Sequence, residues 1–335
     1  MFAVHIALSL LPVLLFLAAL RLMDSFKLVQ IWGLLSAIGA GCLAAAAAFY
    51  VNTWIQGYFG LSDESLRRYP APLAEELLKG ILLGGLVARQ RVGFLVDAAI
   101  YGFAIGTGFA CVENIFYLGT RDAALLTWVV RGFGTAIMHA GTTAVLAILT
   151  KLLMDWGGEV LKPWMVFPGL LAAVVIHSAY NHFLLPPLVA TALIAVTLPL
   201  LVSFVFERSE AATREWMTSG FDADQELLRL IESGGIADTR VGHYLGELQA
   251  RFPGTIIVDM LCLVRLEMEL SIRAKGMLMM REAGFSPKPD DAVRAKVSEV
   301  RYLEGSIGRT GLLAIDPFRR TSDRDKWQRS ALGLD

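Results

Sequence analysis

Four stretches of this sequence set ionisable side chains in apolar surroundings, and their types suit acid–base chemistry on water and a carbonyl. The first reads Ala-Pro-Leu-Ala-Glu75-Glu76-Leu-Leu-Lys79. On a helix, Glu75 reaches Lys79 at the favourable i,i+4 spacing, while Glu76 points about 100° away. Two adjacent carboxylates in low dielectric must share a proton or lean on a cation. That arrangement suits a general acid and base. The plainer reading is a Glu/Lys cluster that snorkels to lipid headgroups.

The second stretch is Gly102-Phe-Ala-Ile-Gly106-Thr-Gly108-Phe-Ala-Cys-Val-Glu113-Asn114-Ile-Phe-Tyr117. Its glycines form a small-xxx-small face for close helix approach. Gly80 and Gly84 repeat that spacing, which predicts that these two helices are direct neighbours. The third stretch carries Arg131 and His139, and the fourth reads His177-Ser-Ala-Tyr180-Asn181-His182. His177 and Asn181 are four apart and share a face, with His182 about 100° round. A lone helical histidine is usually a satisfied core residue, and His5 and His243 are read that way. Two histidines and three glutamates across four apolar stretches point instead to convergence.

A glutamate paired with histidine can take a proton from water, which then attacks a carbonyl carbon. His177 and the Asn181 amide could donate to the resulting oxyanion, where one donor contributes about 3–4 kcal/mol. Lys79 and Arg131 could hold carboxylates in place by charge pairing. The rival chemistry is metal-assisted, since His139, His177 and a glutamate such as Glu113 form a set zinc accepts. No His-Glu-x-x-His motif is present.

The elements that must position these groups are membrane spans. The chain is 55% hydrophobic and 18% charged, against about 25% charge in a soluble domain, and its mean hydropathy is +0.56. Of 30 Lys+Arg, 11 fall in residues 1–206 and 19 in 207–335; of 31 Asp+Glu, the split is 10 and 21. An apolar region, 1–206, thus precedes a charged one, 207–335. Stretches of about 20 apolar residues fall at roughly 2–22, 29–50, 72–88, 92–118, 123–153, 164–185 and 187–206, predicting about seven spans. The first lacks a basic leader and reads as a retained helix.

Short-loop Lys/Arg set the orientation. Arg21, Lys27, Arg89, Arg91, Lys151, Lys162, Arg208 and Arg214 share one side, and Arg67, Arg68 and Arg121 the other. The excess puts the N-terminus outside and residues 207–335 in the cytoplasm. Glu75, Glu76, Glu113, His177 and Asn181 then gather in the outer half. His139 is about 24 Å down a straight helix from the start of its span. It joins them only if that helix starts above the membrane or tilts. Asp97 falls near the inner end beside Arg89 and Arg91 and reads as an interfacial ion pair.

Within 207–335, residues 225–233 have helical spacing. A Pro253-Gly254 turn precedes a helix to Gly284, a Pro287/Pro289 break follows, and another helix starts at Asp290-Asp291. The charges Asp259, Arg265, Glu267, Glu269, Arg273 and Lys275 make the long helix amphipathic and not an eighth span. Cys42, Cys111 and Cys262 have no CxxC spacing and read as small hydrophobes. A net charge of −1 without a basic run excludes a general nucleic-acid binder.

Taken together, Glu-Glu-Leu-Leu-Lys at 75–79, Gly-Phe-Ala-Cys-Val-Glu-Asn-Ile-Phe-Tyr at 108–117, the histidine after Arg131 and His-Ser-Ala-Tyr-Asn at 177–181 resemble the PrsW family of intramembrane proteases. More distantly they resemble the prenyl-protease superfamily, with its EExxxR and HxxxN motifs. The resemblance covers about residues 70–185. It implies hydrolysis of a peptide bond in a membrane-anchored, single-pass protein, such as an anti-sigma factor, in a bacterial plasma membrane. The implied site is Glu75, Glu76, Glu113, His139, His177 and Asn181. Two departures stand out: EExxK in place of EExxxR, and a long C-terminal region.

The expected molecule is thus an all-α, polytopic helix bundle with a helical cytoplasmic C-terminal region, divided at 206/207. Its partners are a membrane-protein substrate and the bilayer. No cofactor is expected, with zinc the alternative. A proton-coupled transporter would also use buried Glu, His and Arg, but no repeat relates the two halves and no paired broken helices occur. A membrane scaffold leaves the gathering of polar groups at one depth unexplained.

Overall fold

The computed structural model describes residues 2–319 apart from 28, 89–91, 121–123, 158–160, 286 and 289. Arg89, Arg91, Arg121 and Pro289 therefore lie outside the described residues. Among those described, the regular structure is helical with no strand, and the chain divides into two compact units, Met1–Glu210 and Ala211–Asp335.

The first unit is a bundle of α1 (Phe2–Met23), α2 (Ile31–Phe59), the short α3 (Asp63–Arg68), α4 (Pro70–Ala88), α5 (Leu95–Thr120), α6 (Leu125–Val129), α7 (Ile137–Gly157), α8 (Pro163–Asn181) and the start of α9 (Pro187–Glu232). Pro70, Pro163 and Pro187 each open a helix, where the missing N–H costs nothing and the fixed φ is already helical. α2 ends at Gly60, whose φ of 62° closes the helix with a bond to the Gln56 carbonyl.

Among the described residues, six helices are long and apolar enough to cross a membrane: α1, α2, α5, the continuous run Leu125–Gly157, α8 and α9. The remaining sequence stretch forms α4. Its Glu75, Glu76 and Lys79 take it out of that apolar set, although it is a helix of 19 residues. The chain is an all-α polytopic membrane protein.

α5 is the central helix, buried without interruption from Val96 to Ala110. Small residues let its neighbours approach to backbone contact. A Cβ on Gly102 would lie 2.6 Å from the Thr143 carbonyl of α7, and one on Gly106 would strike the His139 carbonyl. On the other side, a Cβ on Gly108 would strike the Ile38 carbonyl of α2. The α2 segment Ala44, Ala45 and Ala48 packs on Phe109. α4 and α5 are neighbours as expected, with Lys79 over the Phe109 ring, but they do not meet through their glycines. The glycines of α5 serve α7 and α2, and Gly80 of α4 faces Leu146 of α7.

At the end of the bundle where α5 begins, Asp97 is buried and accepts the Gly93 and Phe94 N–H groups, each at 3.0 Å. It ties down amides that precede α5. The interfacial ion pair expected from sequence involves Arg89 and Arg91, which lie outside the described residues. Ser209 of α9 accepts the Val96 N–H at 3.3 Å.

The second unit comprises the α9 residues from Ala211, α10 (Arg240–Leu248), α11 (Gly254–Glu282) and α12 (Asp291–Ile315). The apolar side of α11, including Met260, Leu263, Leu266 and Leu270, packs on Val300, Leu303 and Ile307 of α12. Its Lys275 is fully buried and donates to Asp224 at 2.7 Å. Asp290 caps α12 by accepting the Val293 N–H at 2.8 Å.

Candidate active site

Glu75 and Glu76 lie near the start of α4, Glu113 near the end of α5, and His177 near the end of α8. Antiparallel neighbours thus present them at one end of the bundle. Glu76 and Lys79 are fully buried and paired at 2.8 Å. The sequence spacing favoured Glu75 as the lysine's partner; the structure corrects this to the i,i+3 pair. Glu75 turns instead toward α2, where Asn52 Nδ2 donates to its Oε1 at 3.0 Å.

One Glu76 oxygen, Oε1, gathers three donors. Lys79 Nζ lies at 2.8 Å, His177 Nδ1 at 2.9 Å and Thr142 Oγ1 at 3.2 Å. An ammonium offers only hydrogens, so Oε1 accepts and the His177 proton sits on Nδ1. The lone pair of His177 Nε2 is left free, and it faces Glu75 Oε2 at 3.8 Å. Glu76 is therefore an orienting group, and Glu75 is the carboxylate with an unused oxygen beside a histidine lone pair.

Lys79 also fixes the second histidine. Its Nζ lies 3.0 Å from His139 Nδ1 and 4.2 Å from the centre of the Phe109 ring. Nδ1 must accept, so the His139 proton is on Nε2 and is donated to Glu113 Oε2 at 2.9 Å. The two imidazoles meet edge to face with ring centres 4.7 Å apart. Both are buried, while Glu75 and Glu113 keep 14% and 28% side-chain exposure. The carboxylates with open access are these two.

Arg131 reaches Glu113 Oε1 at 3.4 Å. It shares this carboxylate with His139 because residues Val130–Ala136 form a π-helical segment. In an α-helix the eight-residue step from 131 to 139 would separate the two side chains by about 80°. Hydrogen bonding from i to i+5 winds at roughly 80° per residue and brings them within roughly 20° of one line. The run Leu125–Gly157 has 33 residues, well beyond the roughly 20 a span requires. That length is enough for its start to stand above a bilayer, the condition under which His139 would join the group.

Asn181 stands apart from the group. Its amide donates to the Arg67 carbonyl at 3.0 Å, and Ser178 Oγ donates to the Arg68 carbonyl at 2.6 Å. Together they hold the last turn of α3 against α8. The sequence reading missed Asn52, Thr142 and Phe109. Asn52 had a legible signal, a carboxamide inside an apolar span; Thr142 and Phe109 had none.

The profile of the PrsW family of intramembrane metalloproteases matches residues 29–206, more than half of the chain. With that match the chain belongs to the PrsW family and is an intramembrane protease; a buried acid–base cluster inside a polytopic bundle suits such a hydrolase. No curated protein and no solved structure matches it.

The family description raises the question of a metal. Glu75, His139 and His177 each bring a ligand atom within 4.8 Å of the others, which is the ligand number of a catalytic zinc site. Glu76 behind His177 also has the place of a metal site's supporting carboxylate. The hydrogen-bond pattern does not fit, however. With Lys79 on Nδ1, the Nε2 of His139 carries a hydrogen and has no lone pair to give a metal.

Proposed function

We propose that the chain hydrolyses a peptide bond of a single-pass membrane protein with Glu75 as the general base. The carrying observation is the free Glu75 Oε2 facing the His177 Nε2 lone pair at 3.8 Å. Two acceptors at that separation suit one water, each about 2.8 Å from its oxygen. Glu75 takes one water proton as the oxygen bonds to the carbonyl carbon, and the carbonyl π pair moves to oxygen. When the tetrahedral species collapses, the C–N bond breaks toward nitrogen, which receives the proton from Glu75. The products are a carboxylic acid and an amine. His177 holds the second water hydrogen and so aims the attacking lone pair.

The cut falls at the membrane boundary. Trp32 and Trp54 of α2 are 77% and 63% exposed and 22 residues apart, about 33 Å along a helix. That matches a hydrocarbon core of about 30 Å, with tryptophans at both interfaces. Asn52, which holds Glu75, is less than one turn from Trp54. The site then sits just inside one boundary, and the Lys/Arg balance supports the outer face; a bacterial plasma membrane is the setting the family resemblance implies. There a substrate helix can unwind and expose its amide; a membrane-anchored anti-sigma factor is the expected kind of substrate.

Purified protein in detergent, given a single-pass substrate, tests the reading. Wild type should cut near the outer end of the substrate span, located by mass spectrometry, and Glu75→Gln should not cut. Elemental analysis of active protein should find substoichiometric zinc. Stoichiometric metal, with activity lost on chelation and regained on refilling, would overturn this and make Glu75, His139 and His177 ligands.

A further inference from the structure

We infer that Arg131 binds the oxyanion of the tetrahedral intermediate. The inference rests on the protease reading above and adds to it the group that receives the developing negative charge.

Hydrolysis at Glu75 requires a donor for that charge, and the two donors expected from the sequence are engaged elsewhere. The His177 Nδ1–H is bonded to Glu76. The Asn181 amide is bonded to the Arg67 carbonyl. Lys79 is spent on Glu76 and His139, and His139 Nε2–H is spent on Glu113. Arg131 differs. One of its terminal nitrogens, Nη2, is buried and has no hydrogen-bond acceptor; its nearest charge is Glu113 Oε1 at 3.4 Å.

The rest of the guanidinium is held in place. Arg131 Nε donates to Asn114 Oδ1 at 2.9 Å, and Asn114 Nδ2 donates to the Ser9 carbonyl of α1 at 2.7 Å. The Arg131 guanidinium carbon lies 3.9 Å from the centre of the Tyr117 ring. One edge and one face are fixed, and an unmet donor remains beside the accessible Glu113. Leaving a buried donor without an acceptor is destabilising, and such groups in a folded protein call for an explanation. Arg131 joins the cluster through Glu113, which is bonded to His139, whose ring meets that of His177; a donor fixed in place before charge develops can stabilise a transition state without reorganisation. A guanidinium is planar and keeps its charge at any working pH.

Rate measurements on Arg131→Lys and Arg131→Gly, with Glu75→Gln as the silent control, test the inference. Arg131→Gly should lose about 10²–10³-fold in kcat with KM unchanged, because the contact exists only in the transition state. Added guanidinium ion should restore at least tenfold of that loss in Arg131→Gly and nothing in Glu75→Gln. Arg131→Lys should be intermediate. Full activity in Arg131→Lys would overturn the proposal, since a lysine keeps charge beside Glu113 and would satisfy a purely supporting role. A rise in KM at constant kcat would overturn it too. If Arg131→Gly fails to melt cooperatively, the kcat and KM of Arg131→Lys decide alone. Full activity in Glu75→Gln would remove the base assignment and leave the Arg131 result standing.

Discussion

The ammonium of Lys79 lies 3.0 Å from Nδ1 of His139 and 2.8 Å from Oε1 of Glu76. It thereby sets the proton positions of both site histidines, one directly and one through the carboxylate.

Removing that ammonium should change what the cluster binds. In Lys79→Met, the His139 proton can move to Nδ1 and its Nε2 becomes a free ligand. Zinc affinity by calorimetry should rise at least tenfold, and proteolysis should fall by a similar factor. Removing one partner of a buried ion pair costs about 3–5 kcal/mol, so a lower melting temperature belongs to the expected result. Unchanged zinc affinity would show that Lys79 does not fix the tautomer.

Glu75 and Glu76 should separate by phenotype. Glu75→Gln should lose about 10²–10⁴-fold in rate with an unchanged thermal melt. Glu76→Gln should lower the melt as well as the rate, because a neutral amide oxygen holds the Lys79 ammonium and the His177 Nδ1–H less strongly than a carboxylate, and its NH2 can accept from neither. A Glu76→Gln protein as stable and active as wild type would contradict the orienting role.

Close helix approach should show as a contrast between two glycines. Gly106→Ala drives a methyl into the His139 backbone, while Gly57 has nothing within 4 Å of its Cβ position. Gly106→Ala should lose most activity and about 1–3 kcal/mol of stability; Gly57→Ala should be silent in the same assay.

The helices and the ionisable groups were legible because an apolar run of about 20 residues has few other uses and a charge inside one is costly. Partner choice was not. A small-xxx-small face announces a close approach but names no neighbour, and α5 spent its glycines on α7 and α2. Glu75 and Glu76 both lie within a turn of Lys79, so local spacing could not choose between them. The choice came from Thr142 and His177, which arrive from other helices. Asn181 and Asn52 are chemically alike, and only the tertiary fold places the latter on Glu75.

The second unit offers a test independent of catalysis. Lys275 and Asp224 are both fully buried. Lys275→Met should destabilise by about 3–5 kcal/mol, and the double variant Lys275→Met, Asp224→Leu should recover much of it, because two charges then leave together. Chemical denaturation followed in the full chain would show an unrecovered double variant if the pair does more than neutralise itself.

Membrane orientation can be read directly. Reporters fused after residue 206 should report cytoplasm, and those near Ser62 the outer side. The reverse pattern would move the cut to the inner boundary.

The π-helical segment Val130–Ala136 also limits how this span can be compared with others. Winding one residue more per turn is equivalent to an insertion carried inside a helix. A purely α-helical counterpart that kept the same partners for His139 would have one residue fewer before it, so matching the two requires a gap. Any fixed Arg-to-His spacing taken from such a counterpart would fall one position short here. Deleting a single residue between 131 and 139 would reset the segment to α and leave Arg131 facing the same way relative to His139, since seven α-helical steps come to about 700°.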